Sequence, residues 1–153
     1  NDYSKVYNVD PLLVLSVIKA ESKFNEKALS YKGAYGLMQI TQATAKEIAE
    51  ELAIEGFEVE MLYNPRVNIQ IGTYYIRFLI DRLGDTETAL AAYNAGIGNV
   101  RKWLANEEYS MDGVTLKQIP FMETNNYVKS IRISYKIYKF LYRELPRRIP
   151  VKF

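Results

Sequence analysis

The chain of 153 residues contains no cysteine and no histidine. Without thiols it can form neither disulfide bonds nor thiolate metal sites. Without imidazole it can build neither a Ser-His nor a Cys-His nucleophile pair, and it has no imidazole metal ligand. Acid-base chemistry must therefore fall to carboxylates, lysines or tyrosines. We expect no bound metal and no cofactor.

The sequence also lacks a marked excess of charge and any long apolar run. Twenty lysines and arginines stand against eighteen aspartates and glutamates, giving a net charge of +2, and no basic block predicts a nucleic-acid partner. No apolar run is long enough to span a membrane, and the amino terminus lacks a signal-peptide pattern. The composition, 48% hydrophobic and 25% charged, is typical of one globular domain. We expect a monomer with residues 1–153 as a single domain and a peripheral tail at about 144–153.

One glutamate lies in an apolar helical stripe. Asp10 is a good N-cap and Pro11 suits the first helical position, so a helix is predicted from there to about Ser22. Three apolar side chains lie within about 60° of Glu21 around the helix axis: Val14, Val17 and Ile18. Burial among them raises the pKa of a carboxyl group, as does the negative end of the helix dipole. Although most glutamates near helix ends are solvated, a carboxylic acid that stays protonated near neutral pH is what a general acid requires.

The remaining pattern predicts a fold that is almost entirely helical. Further helices are expected over about 43–52, 65–83, 86–95, a short stretch around 100–104, and about 124–142. Residues 23–40 are predicted to be a loop that ends in a buried turn, and residues 106–120 a polar surface loop. The helix over 65–83 is apolar nearly all round, which is typical of a central buried helix. No strand alternation of useful length is present.

Four groups of residues follow one another between positions 21 and 128. They are Glu21-Ser22 with Phe24; Ser30, Lys32-Gly33-Ala34 and Gly36-Leu37-Met38-Gln39-Ile40; Ala89-Leu90-Ala91-Ala92-Tyr93-Asn94-Ala95-Gly96; and Pro120-Phe121, Glu123-Thr124 and Tyr127-Val128. Together they resemble the family 1 lytic transglycosylases, bacterial enzymes built on the catalytic domain of soluble lytic transglycosylase. The resemblance implies an all-α, lysozyme-like helical domain with a substrate groove.

The resemblance also assigns roles to particular residues. It makes Glu21 the single catalytic acid and base. The residues that it places along the groove as substrate-binding are Ser30, Met38, Gln39, Tyr93, Asn94, Glu123 and Tyr127. Two positions depart from the family pattern: Gln42 stands where proline is frequent, and Asn125 stands where arginine commonly follows Glu-Thr. The lost guanidinium could change how a distal sugar or peptide stem is held.

Most of these groove residues also have an ordinary structural role open to them. Ser30 and Gln39 can satisfy backbone groups of the loop. Met38 and Tyr93 can be packing residues, and Glu123 can serve the dipole of the last helix.

The chemistry expected from a lone glutamate is unusual for a glycosidase. Cleavage of a glycosidic bond ordinarily takes two carboxylates, and no second one accompanies the motifs near Glu21. The substrate must then assist, through the N-acetyl group of N-acetylmuramic acid in peptidoglycan. Glu21 would protonate the leaving oxygen and then take a proton from the hydroxyl group at carbon 6, which closes a 1,6-anhydro ring. The expected activity is this non-hydrolytic cleavage of the MurNAc-GlcNAc β-1,4 bond in peptidoglycan glycan strands.

Two other functions remain open at this point. A hydrolytic muramidase of goose-lysozyme type would share the fold and the glutamate but let water attack. A glycan-binding module with a dead site would bind strands without cleaving them. In each case the substrate implies a location outside the cytoplasm, in the cell envelope or wall, and we expect a membrane anchor or export signal outside this chain.

Overall fold

A computed structural model describes residues 2–144 of the chain. The α-helices in this part are α1 Asp2–Val6, α2 Pro11–Ser22, α3 Gln42–Glu51, α4 Pro65–Leu83, α5 Thr86–Ala95, α6 Ile97–Leu104 and α7 Met122–Glu144. Two strands, β1 Ala34–Tyr35 and β2 Ile40–Thr41, pair antiparallel, and a 3-10 helix covers Val59–Tyr63. The mainly helical fold is as predicted. Residues 145–153, nearly all of the expected peripheral tail, lie outside the described residues.

Helices α2 and α4 begin as the sequence predicts, with an N-cap followed by proline. The Asp10 carboxylate accepts a hydrogen bond from the Leu12 N–H at 2.8 Å. In the same way Asn64 accepts one from the Arg66 N–H at 2.9 Å. Helix α4 ends at Leu83 and is followed by Gly84, whose φ of 78° is the left-handed conformation that glycine adopts most readily. Both predicted ranges are confirmed.

Two other helices differ slightly from their predicted bounds. Helix α3 starts at Gln42, directly after its N-cap Thr41, and Met122 starts α7 two residues before the predicted Thr124. Residues 106–120 contain neither helix nor strand and are mostly exposed, as predicted.

Helix α4 is the centre of the packing. It contacts α1, α3, α5, the 3-10 helix and β2, while α7 packs across α2 and α5. Only Arg66, Asp81 and Arg82 among the residues of α4 are exposed. This confirms the prediction of a central buried helix. Within residues 2–144, each helix is too short or too polar to cross a lipid bilayer.

The β-hairpin and the 3-10 helix are differences from the prediction. The strands have two residues each, with Ala34 opposite Thr41 and Tyr35 opposite Ile40. An alternation of period two cannot be recognised over so short a length. The hairpin nevertheless matters, because its turn carries two of the residues that the sequence assigns to the groove.

Candidate active site

Glu21 lies in the last turn of α2, where the chain changes direction abruptly. The next residues beyond the helix, Lys23 and Phe24, have φ values of 52° and 67°. A non-glycine residue in the left-handed region costs about 1–2 kcal/mol. Backbone strain of this kind is concentrated at functional sites. The turn directs the chain from the glutamate into the loop that carries the hairpin.

The carboxyl group of Glu21 is largely removed from water. Its pKa is raised from 4.5 to about 7, mainly by burial; the Tyr127 hydroxyl group acts in the opposite direction, and the negative charge of Glu123 contributes to the rise. Val14, Val17 and Ile18 of the same helix are buried. The prediction of an apolar stripe and a raised pKa is therefore confirmed.

Two buried phenols belong to the same group of side chains. The Tyr93 hydroxyl donates a hydrogen bond to the Met38 carbonyl at 2.7 Å. The Tyr127 hydroxyl has no hydrogen-bond partner of full geometry within residues 2–144. Burial first, and the nearby Glu21 charge second, raise the pKa of both phenols well above its ordinary value. Both hydroxyl groups therefore stay neutral at physiological pH. That of Tyr93 donates to the Met38 carbonyl, whereas that of Tyr127 can donate a hydrogen bond beside the carboxyl group.

Ser30 and Gln39 hold the backbone of the loop. The Ser30 hydroxyl accepts a hydrogen bond from the Ala34 N–H at 3.1 Å. The Gln39 side-chain amide donates to the Ala28 carbonyl at 3.2 Å and to the Gly36 carbonyl at 2.9 Å. Gln39 itself has a φ of 50°. These two side chains therefore shape the hairpin, which is the structural role that the sequence left open for them.

Met38 differs from the expectation of a groove-lining side chain. Its side chain is 0% exposed and packs against Gly72 of α4. A Cβ atom added at Gly72 would lie 2.8 Å from the Met38 Cε atom, so the two segments are in direct contact. An apolar, flexible side chain next to a glycine is buried rather than left in water. Met38 reaches the site through its carbonyl group, which Tyr93 contacts.

Asn94 and Glu123 lie where α5 meets the beginning of α7. The Thr124 hydroxyl donates to the Asn94 side-chain oxygen at 2.8 Å, joining the two helices. The exposed Glu123 carboxylate is 3.9 Å from the Lys32 ammonium group of the loop. Such an exposed pair adds little stability, but it shows that the loop and α7 approach each other beside Glu21.

Glu123 brings a second carboxylate close to Glu21. The motifs near Glu21 in the sequence contain no other carboxylate, but the charge of Glu123, a residue that the resemblance places along the groove, is close enough to raise the pKa of Glu21. The two residues are about a hundred positions apart, so their proximity depends on how α2 packs against α7. A second carboxylate therefore stands near the site, although it is exposed and opposite a lysine.

The two departures from the family pattern lie in ordinary positions. Gln42 is the exposed first residue of α3, where proline is optional. Asn125 is half-buried in the first turn of α7, and its N–H donates to the Phe121 carbonyl at 2.9 Å.

Asn68 is a residue of the site region that the sequence analysis missed. Its side-chain oxygen accepts from the Met38 N–H at 2.8 Å. Its amide donates to the Tyr35 and Leu62 carbonyls, each at 2.9 Å. The side chain is 0% exposed. A polar residue inside the apolar helix α4 was the available signal, because a buried amide needs partners. Asn68 thus fixes the hairpin to α4 and, through Met38, the carbonyl that Tyr93 contacts.

The described part of the chain offers no metal site of the usual kind. Within residues 2–144, no three carboxylates converge closely enough to hold an ion. What the arrangement provides is one protonatable carboxyl group, two neutral phenols and a polar rim. Such a set can donate a proton to a bound group and later accept one.

The fold and the site together define a lysozyme-like, mainly α-helical domain in which Glu21 is a largely buried carboxylic acid. A family model described as the transglycosylase SLT domain matches residues 1–113. The chain belongs to this family.

Relatives and solved structures agree with this assignment. The soluble lytic murein transglycosylase of Escherichia coli is 35% identical over 153 residues, covering 95% of this chain and 24% of the relative. The membrane-bound lytic murein transglycosylase C of Actinobacillus pleuropneumoniae is 36% identical over 118 residues, covering 69% of this chain and 32% of the relative.

Two solved structures superpose closely on the chain. An inactive mutant of the lytic transglycosylase Slt from Pseudomonas aeruginosa gives a TM-score of 0.83 at 31% identity, covering 95% of this chain and 24% of that one. The 70-kDa soluble lytic transglycosylase in complex with bulgecin A gives a TM-score of 0.82 at 30% identity, covering 98% of this chain and 25% of that one. The chain thus spans about a quarter of the length of the soluble transglycosylases that it matches.

Proposed function

We propose that residues 1–153 form one catalytic domain of a peptidoglycan lytic transglycosylase. It cleaves the MurNAc-GlcNAc β-1,4 bond without consuming water and leaves a 1,6-anhydromuramoyl end. The observation that carries this proposal is the pKa of Glu21, raised to about 7 by burial. A group that is half protonated near neutral pH can give a proton to the leaving oxygen and then take one back.

The first step is protonation of the glycosidic oxygen by Glu21. As that bond breaks, the N-acetyl oxygen of the same sugar attacks the anomeric carbon and forms a cyclic intermediate. The Glu21 carboxylate then removes the proton from the hydroxyl group at carbon 6, whose oxygen closes onto the anomeric carbon. The bond to the N-acetyl oxygen breaks, and Glu21 is again protonated. No second enzyme carboxylate is needed in this sequence.

The neighbouring polar groups assist this chemistry. Tyr127 is a neutral donor beside Glu21, and donors of this kind stabilise charge that develops in a water-poor site. Tyr93 donates a hydrogen bond to the Met38 carbonyl and so holds the hairpin beside Glu21. Asn94, held by Thr124, supplies a further amide on the same side. The hairpin forms one wall of the groove, and its shape is held by Ser30, Met38 and Gln39.

The hydrolytic muramidase is the second candidate, and Glu123 is the observation that favours it. An inverting glycosidase uses a second carboxylate to activate water. The charge of Glu123 influences Glu21, so a water molecule between the two groups could be activated in this way. However, Glu123 is exposed and pairs with Lys32, which fits a residue at the rim of the groove better than a catalytic base.

Product analysis distinguishes these functions. Purified peptidoglycan is incubated with wild-type protein, Glu21→Gln and Glu123→Gln, and soluble muropeptides are analysed by mass spectrometry. We expect wild-type products that are one water lighter than hydrolytic ones, no products from Glu21→Gln, and reduced but identical products from Glu123→Gln. Hydrated reducing ends that disappear in Glu123→Gln would establish the muramidase. Strand binding without any product would establish the binding module.

The proposed substrate fixes the expected location and partner. Peptidoglycan lies outside the cytoplasmic membrane, so we place the parent protein outside the cytoplasm, in the cell envelope or wall. We expect the domain to work as a monomer on glycan strands. We expect no nucleic-acid partner.

A further inference from the structure

Helix α7 carries a second apolar stripe on the side that faces away from the core. Four large side chains on this side are 46–65% exposed: Ile133, Ile137, Phe140 and Leu141. Their spacing places them within about 100° around the helix axis. The opposite side of the same helix is buried through Val128 and Ile131. The helix is therefore apolar on two faces, and within residues 2–144 the helices α2 and α5 cover one of them.

Basic residues predominate along this outer stripe. Helix α7 carries five lysines and arginines between residues 124 and 143, and its acidic residues, Glu123 and Glu144, stand at its two ends. Lys129, Lys136 and Arg143 lie along one flank, within about 80° of Ile133 around the axis. The other two are engaged elsewhere: Arg132 pairs with Glu87, and Lys139 lies over the ring of Tyr135.

We propose that this outer face of α7, defined by the four apolar residues and the three flanking basic residues, docks onto an anionic lipid bilayer. Apolar side chains of a surface helix enter the boundary between headgroups and acyl chains, and lysines reach the phosphates beside them. Each basic residue near an anionic bilayer strengthens binding by about fivefold.

Other occupants match the surface less well. A second copy of the chain docked with its α7 antiparallel would bring one basic flank against another, and such like-charge contacts are unfavourable. A soluble anionic wall polymer would neutralise the lysines but leave the apolar stripe in water. An anionic bilayer meets both features at once.

Docking through this face leaves the catalytic site accessible. Tyr127, the α7 residue beside Glu21, precedes Ile137 by ten residues, which is about 15 Å along a helix. Tyr127 also lies on the core side of the helix, not on the outer face. The domain would thus be held at the membrane while its site reaches the glycan layer beyond.

Vesicle sedimentation tests the proposal. The chain is mixed with vesicles of equal parts phosphatidylglycerol and phosphatidylcholine, or of phosphatidylcholine alone. We expect binding to the anionic vesicles only, at least tenfold weaker for Ile137→Ser with Phe140→Ser, and about fivefold weaker for each of Lys129→Gln and Lys136→Gln. The matched control is Met111→Ser, which removes an exposed apolar side chain from the 106–120 loop and should bind as wild type.

Thermal unfolding of each variant checks that the fold is retained. Equal binding to both kinds of vesicle, no binding to either, or unchanged binding of the stripe variant would overturn the proposal. Dimerisation of the wild type that the stripe variant abolishes would assign the face to a second copy instead. None of these readouts depends on cleavage of peptidoglycan.

Discussion

Replacing Glu21 with glutamine should stabilise the protein at neutral pH. In the folded protein, burial raises the pKa of this carboxyl group from 4.5 to about 7. Folding above that pH must therefore place a carboxylate where water is scarce. A pKa difference of this size corresponds to about 3 kcal/mol of folding free energy. Glutamine has nearly the same shape and carries no charge, so Glu21→Gln avoids this cost.

The sign of the effect follows from where the proton resides. Below pH 4.5 the carboxyl group is protonated in both folded and unfolded chains, and the variant and the wild type should be nearly equal in stability. Between pH 4.5 and about 7 the unfolded chain releases the proton while the folded protein keeps it, so rising pH destabilises the wild type. Above about pH 7 the difference in free energy of unfolding between the two proteins should level off at about 3 kcal/mol in favour of the variant.

Urea unfolding at several pH values measures this difference. The free energies of both proteins are compared between about pH 4 and 8, with the slope against urea checked for constancy. Near pH 8 the variant should melt about 6–12 °C higher, given about 2–4 °C per kcal/mol for a domain of this size. Glu26→Gln, which removes an exposed carboxylate, is the control. A stability difference that stays constant with pH, or that favours the wild type at pH 8, would refute the reasoning.

Three further substitutions test the contacts around the site. Tyr93→Phe removes the hydrogen bond to the Met38 carbonyl that positions the hairpin beside Glu21, so kcat for muropeptide release should fall about tenfold or more with little change in KM. A change in KM alone would show that this hydroxyl group serves substrate binding and not the transition state. Asn68→Leu leaves three buried backbone groups without this partner and should lower the free energy of unfolding by about 3–5 kcal/mol, measured in urea against Gln70→Leu on the same helix. Gly72→Ala adds a methyl group that would overlap the Met38 side chain, and it should lower the free energy of unfolding by about 1–3 kcal/mol in the same assay. Gly98→Ala, in helix α6 with open space around it, should leave this free energy unchanged or raise it slightly, because alanine favours a helix; equal losses for the two variants would contradict the packing.

Helices were predictable where their ends carry local signals. Asp10-Pro11 and Asn64-Pro65 mark the starts of α2 and α4, and the hydrogen bonds that confirm them span only two residues. The environment of Glu21 was predictable for the same reason, since its apolar neighbours lie on its own helix.

The rest of the site depends on contacts between distant segments. Asn68 binds groups that are 30 and 33 positions away as well as Leu62, and no local pattern pairs them. Met38 is buried because Gly72, which has no side chain, leaves room for it on α4. The sequence alone does not show that α4 lies beside the hairpin. The approach of Glu123 to Glu21 likewise follows from α7 packing on α2.

The contact between Met38 and Gly72 also protects a sulfur atom. Methionine oxidation adds a polar oxygen and proceeds at sulfurs that solvent can reach. Met111 and Met122 are 87% and 77% exposed, so mild peroxide should convert them first, whereas Met38 at 0% has no room for a sulfoxide. Oxidation of Met38 requires the hairpin to leave α4. The rate at which its sulfoxide forms would therefore report how often this wall of the site opens.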